Sequence, residues 1–139
     1  MNKFKFLEHT ADIKFQAFGK DLNEAFENSA LAMFNAMSDK KINPKTKKKI
    51  KVNGKGLENL LYAFLEELLF LLDSKNFFVS KAKVNITEDK NKKFKLEAEV
   101  SGDSVKEYET KMDVKAVTYN EMFIKKVGNK WITQVVLDV

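Results

Sequence analysis

The sequence predicts an α+β protein, a largely antiparallel sheet with two helices packed against it, and three observations lead there. Two stretches space their apolar residues as helices do, and most of the remainder alternates with a period of two. The order runs strand, helix, strand, helix and then several strands joined by hairpin-type turns. The 139 residues suit a single domain spanning 1–139, long enough to bury a core and too short for two.

From Phe4 to Phe18 the residues alternate, with Ile13, Phe15 and Ala17 on one face and Asp12, Lys14 and Gln16 on the other. This predicts a strand pair interrupted near His9 to Ala11 and closed by Gly19. Asp21, with Glu24 three positions later, forms a capping box for a helix whose apolar stripe is Leu22, Ala25, Phe26, Ser29, Met33 and Met37. Asp39 to Lys49, with Pro44 and a run of lysines, is expected to be a solvated loop before a short strand, Ile50 to Val52. Gly54 and Gly56 flank the turn into a second helix, about Leu57 to Asp73, whose leucines cover more than half its circumference and require burial on several sides. Phe77 to Thr87 and Phe94 to Val100 then form a hairpin, and Gly102-Asp103 reads as a turn. Val114 to Val127 and Lys130 to Asp138 flank Gly128-Asn129, which suits a two-residue type II′ or I′ turn.

Composition excludes much chemistry. Cysteine is absent and histidine occurs once, so disulfides, thiolate metal sites and zinc spacings are ruled out. No glycine-rich phosphate loop is present, and no nucleophile–base pair is recognisable, so the chain reads as a non-enzyme. The most apolar stretch, Leu60 to Leu72, contains Glu66 and Glu67 and falls short of the ~20 residues that cross a bilayer. The opening Met-Asn-Lys-Phe-Lys-Phe is unlike a signal peptide, and a cytoplasmic location is expected. The net charge of +5 favours acidic partners or nucleic acid, but every basic side chain is lysine, without the planar fork that grips phosphate bidentately. Lysine richness alone is better explained by an AT-rich coding genome than by RNA binding.

A two-residue loop at Gly128-Asn129 sets a register that pairs Tyr119 with Asp138 and gives Lys115 and Val117 the face of Asp138, away from the core. Four residues along a strand is ~13 Å, so contact between Lys115 and Asp138 would need a bend or bulge. Asp138 and the α-carboxylate of Val139 repel unless a cation or a basic side chain joins them. If Asp12 also approached, three hard oxygen ligands would suit Ca²⁺ or Mg²⁺. Spacing alone favours the plainer reading, one solvent-exposed aspartate at a strand end and another beside a turn.

His9-Thr10-Ala11-Asp12-Ile13, Lys115-Ala116-Val117-Thr118-Tyr119 and Val135-Val136-Leu137-Asp138-Val139 resemble, in order and spacing, the motifs of the archease family. Gly19-Lys20, Met37-Ser38-Asp39, and Glu66-Glu67-Leu68-Leu69 through Leu72-Asp73 match as well, so the resemblance spans the chain. Asn120 departs from it, standing where the family pattern has histidine. The resemblance implies a metal-binding accessory protein that activates the RtcB-type RNA ligase of tRNA splicing by promoting its guanylylation and multiple turnover. By position it makes Asp12 and Asp138 ligands of a divalent metal, calcium or magnesium, with Val139 adding main-chain or terminal oxygen and Asp39 a weaker candidate. It makes Lys115 the residue needed for activation, and RNA a partner only through the ligase. The competing readings are a general chaperone, an RNA-binding module acting through a lysine-rich face, and a carboxylate-dependent metal hydrolase. His9 reads as a structural residue at a strand end.

Overall fold

A computed structural model describes residues 2–139. The elements follow the order β1 (Phe4–Leu7), β2 (Ile13–Gly19), α1 (Leu22–Met37), β3 (Thr46–Gly54), α2 (Leu57–Lys75), β4 (Phe77–Glu88), β5 (Phe94–Ser104), a 3-10 turn (Val105–Glu107), β6 (Ala116–Val127) and β7 (Lys130–Asp138). The strands divide between two antiparallel sheets, β1-β2-β7-β6 and β3-β5-β4, with the two helices packed against both. The α+β class is as the sequence predicts.

Helix α1 begins where expected: the Asp21 carboxylate accepts from the Glu24 N–H at 2.8 Å. The reciprocal bond falls one residue early, with Glu24 accepting from the N–H of Lys20 at 2.9 Å. Besides the stripe read from sequence, Ala30, Ala32, Phe34 and Ala36 are buried, because α1 lies against β2 and β7 of one sheet and β4 of the other. Phe26 meets Phe64 of α2 with ring centroids 6.3 Å apart, and Phe34 meets Phe78 of β4 edge-on at 4.9 Å. Helix α2 ends at Asn76, whose left-handed conformation, φ 56°, lets its N–H cap the last turn.

The helices also finish the sheets. An edge strand leaves backbone N–H groups without partners. On β4, Glu27 accepts from the Val84 N–H at 2.8 Å and Asn23 from the Ile86 N–H at 2.9 Å. On β6, Glu66 of α2 accepts from the Val117 N–H at 3.1 Å. Burial pushes the Glu27 carboxyl above its ordinary range, against the bond from Val84 that pulls it down.

Three expectations are corrected. The third strand is not confined to Ile50–Val52 but starts at Thr46, inside the lysine run. Lys47 and Lys51 lie 3.7 and 3.9 Å from Glu99 and Glu97 of β5, so carboxylates some fifty residues away relieve the repulsion that argued for a loop. Gly102-Asp103 is not a turn; both residues continue β5, opposite Val79 and Phe78 beside a bulge at Val79/Lys81. A Cβ at Gly102 would overlap the Phe78 carbonyl oxygen and lie 2.9 Å from its carbon, so this glycine serves close backbone approach. Asp103 is buried there, and the Tyr108 hydroxyl donating to it at 2.7 Å holds its carboxyl below the ordinary range. The third correction is the register of β6 on β7. Asp138 pairs with Ala116, not Tyr119, and Val117 pairs with Leu137, both buried, so Val117 does not share the face of Asp138.

Candidate functional site

The sequence motifs meet where β2 begins, β7 ends and β6 breaks its ladder. From the Gly128-Asn129 turn to Phe123↔Gln134 the hairpin keeps the expected register. Gly128 makes the turn at φ 62°, as the first corner of a type II′ turn requires. Beyond it, Tyr119 to Met122 stand against the single residue Val135, and pairing resumes at Thr118↔Val136. This bulge draws Lys115 back toward Asp138, and its N–H donates to the Asp138 carbonyl at 2.8 Å. The side chains of both are exposed. Val139 is partly buried against the core.

Strand β2 pairs with β7 through Ile13↔Leu137. Asp12 precedes the first of these and Asp138 follows the second, so the two aspartates stand at the same end of the sheet on neighbouring strands. Lys115 is hydrogen-bonded across from the second. Asp39 lies elsewhere: its side chain is 70% exposed just past α1, 3.9 Å from Lys111 Nζ. Lys111 lines a cleft of ≈ 940 Å³ whose other wall includes His9, Thr10 and Asp12, and this links Asp39 to the site at one remove.

Glu121 and Lys14 join the site without any signal in the sequence. The bulge sets Glu121 at φ 54°, a conformation that L side chains resist, and its carboxylate receives His9 Nε2 at 2.9 Å and Lys14 Nζ at 3.1 Å. Those two bonds, His9 first, hold the Glu121 carboxyl below its ordinary range. A polar relay fixes the bulge: Gln16 donates to Gln134 at 2.9 Å, and Gln134, almost fully buried, donates to the Glu121 carbonyl at 2.8 Å. On the far side Tyr119 stacks on Tyr62 of α2, centroids 4.3 Å apart, and its hydroxyl accepts from Asn59 at 2.9 Å. Asn120, exposed, donates its N–H to Thr118 Oγ1 at 3.3 Å.

A carboxylate only accepts, so His9 Nε2 carries the proton that Glu121 receives. The other ring nitrogen, Nδ1, is buried without a hydrogen-bond partner, 3.7 Å from Asp12 Oδ2. His9 is therefore more than a turn residue: it connects the bulge to Asp12. Among the described residues no three His, Cys, Asp or Glu side chains converge on one point. His9 Nδ1 and Asp12 Oδ2 approach each other at 3.7 Å, so an ion placed between them would keep most of its coordination positions open. Among the same residues no helix is long and apolar enough to cross a membrane.

Comparison with known proteins shows what this geometry is similar to. The model of the Archease protein family (MTH1598/TM1083) matches residues 4–139. The protein archease of Sulfurisphaera tokodaii is 45% identical over 142 residues, covering 100% of both chains. That of Pyrococcus furiosus is 40% identical over 143 residues, again covering 100% of each. The solution structure of Methanobacterium thermoautotrophicum protein 1598 superposes with a TM-score of 0.83 at 35% identity over 100% of both chains. The crystal structure of an archease, possible chaperone, from Thermotoga maritima shares the fold, with a TM-score of 0.62 at 21% identity over 97% of this chain and 96% of that one.

Proposed function

Because the chain belongs to the archease family, we propose that it is an accessory protein, not a catalyst, which activates an RtcB-type RNA ligase in tRNA splicing by promoting guanylylation and repeated turnover. The observation that carries the reading is the bulge of β6, which brings Lys115 back against Asp138 at the end of the sheet where Asp12 also stands. Asp12 and Asp138 are the residues that would hold a divalent cation, joined by an oxygen of Val139, and the hard carboxylates alone would suit calcium or magnesium. Bound there, the ion supplies open coordination positions for phosphate oxygens. The chain's own contribution is to fix the carboxylates on rigid strand ends and to present the Lys115 ammonium beside them, where it offsets negative charge on the ligase or its nucleotide. Asp39, exposed and 3.9 Å from Lys111, fits a rim contact better than a ligand.

The lysine-rich-face alternative loses support from the pairing of β3 with β5. Lys47 and Lys51 face Glu99 and Glu97, and Lys95 lies 3.4 Å from Glu97, so that surface carries mixed charge. A general chaperone would need an exposed apolar surface; of the large apolar side chains only Phe6, Phe70, Tyr119 and Val127 are exposed among the described residues, and two of them, Phe70 and Val127, come from separate elements far apart in sequence. Affinity capture from native extract, followed by calcium titration of the purified protein, tests the proposal. The expected outcome is enrichment of the ligase, with calcium binding that Asp12→Asn and Asp138→Asn each abolish. Many unfolded clients and no ligase would replace the accessory reading with the chaperone one.

A further inference from the structure

We propose that His9 Nδ1 is a direct ligand of the divalent ion held by Asp12, with Glu121 as the outer carboxylate that fixes the imidazole. This rests on the metal-binding reading above and changes which ions the site prefers. The tautomer comes first. The 2.9 Å bond to the Glu121 carboxylate, which only accepts, occupies Nε2 as the donor and makes Nδ1 the ring nitrogen open to an ion. That nitrogen is buried, has no hydrogen-bond partner and faces Asp12 Oδ2 at 3.7 Å. The gap is too long for a hydrogen bond, yet within the ~4.2 Å that two metal–ligand bonds of ~2.1 Å can span. A carboxylate receiving one ring N–H while the other nitrogen meets the ion is the usual support of a metal-bound histidine.

Backbone strain gives an independent sign. Among the described residues the non-glycine positions with positive φ are Ala11, Asn76, Lys92 and Glu121. Asn76 caps a helix and Lys92 turns the β4–β5 hairpin, both local duties. Ala11, φ 65°, sits between His9 and Asp12, and Glu121, φ 54°, bears the carboxylate on the ring. Strain of this kind persists where surrounding structure enforces it, and here the Gln16–Gln134 relay grips the Glu121 carbonyl. The strained residues thus bracket one imidazole. A nitrogen donor beside carboxylates moves preference from calcium and magnesium toward first-row transition ions such as Zn²⁺ or Mn²⁺. The remaining positions stay open to water or phosphate oxygen.

His9 is the chain's one histidine, so its imidazole resonances need no assignment by mutation. Nitrogen-15 NMR of the ring during titration of the intact protein with Zn²⁺ reads the proposal directly. Saturation should move the Nδ1 resonance to the position of a coordinated nitrogen while Nε2 keeps its proton, and Asp12→Asn should abolish the change. Glu121→Gln should weaken Zn²⁺ binding by ~10–100-fold. His9→Gln should weaken it at least as much, with calcium affinity altered far less. Zn²⁺ bound with Nδ1 unmoved would overturn the nitrogen ligand and leave the carboxylate site standing. A shift that survives Asp12→Asn would mean an ion on a lone surface imidazole and would also overturn it. No binding of Zn²⁺ or Ca²⁺ to the wild type would overturn this inference and the metal-binding reading together.

Discussion

The two long hairpins, β4–β5 and β6–β7, are built from similar lengths of chain and do different work. The first keeps its ladder for almost its whole length, with one small irregularity at Val79/Lys81 absorbed by a glycine on the partner strand. The second sets Tyr119 to Met122 against Val135 and accepts an unfavourable φ at Glu121. The first tolerates close backbone approach for the sake of packing, and its buried carboxylate, Asp103, is satisfied locally by Tyr108 and Ser104. The second uses its irregularity to set the Glu121 carboxylate on His9 and Lys14, with His9 beside Asp12, and to bring the Lys115 N–H onto the Asp138 carbonyl. The first irregularity, lined by glycine and phenylalanine, serves packing; the second, held by the buried Gln134 amide, aims at charged side chains, and it is on this one that the proposed function rests.

The largest expected effect falls on the structural hairpin. Gly102→Ala should cost about 3 kcal/mol or more, because the new methyl meets backbone and not a side chain that could move aside. Denaturant unfolding checks this, and the folded fraction should activate the ligase normally. A loss below ~1 kcal/mol would show that β4 can shift at the bulge and would blur the contrast between the hairpins.

A smaller pair of effects separates the hairpins by the sign of their pH dependence. Glu121 titrates below its ordinary value of 4.5, so its contribution to stability is present above that value and disappears as pH falls through the lower folded value. Glu27, capping β4, titrates above 4.5, so the stability it adds when protonated is full below that value and is lost as pH rises through the folded one. Glu121→Gln should therefore be less stable than wild type near neutrality, with the gap closing below about pH 4. Glu27→Gln, which keeps an acceptor for the Val84 N–H, should be equal to or more stable than wild type near neutrality and lose that advantage on acidification. Urea midpoints measured between pH 3 and 7 would read both. Parallel profiles for the two variants would remove the electrostatic distinction.

Much of the fold is legible in the sequence because its signals are local. Asp21 caps α1, the leucines of α2 demand burial all round, and Gly128-Asn129 turns the last hairpin. What escaped depends on partners distant in sequence. The lysines of β3 look like a loop until Glu97 and Glu99 stand opposite them, and Gly102 looks like a turn until Phe78 lies against it. The bulge escaped because Tyr119-Asn120-Glu121-Met122 carries neither glycine nor proline, and a register extrapolated from the turn fails beyond it. The motif resemblance picks out Lys115 and Asp138, and the bond between their backbones depends on that bulge. Glu121 leaves no trace in the sequence, because its place against His9 depends on the bulge.

In the proposed role Lys115 acts on the partner and not on the fold, and multiple-turnover RNA ligation with a purified RtcB-type ligase separates the two. The bond from residue 115 to Asp138 is made by backbone, so Lys115→Ala preserves it, and truncating an exposed side chain changes stability within ~0.5 kcal/mol. Lys115→Ala should melt like wild type, bind its divalent ion as well and fail to stimulate the ligase. Full stimulation by a correctly folded Lys115→Ala protein would contradict that role.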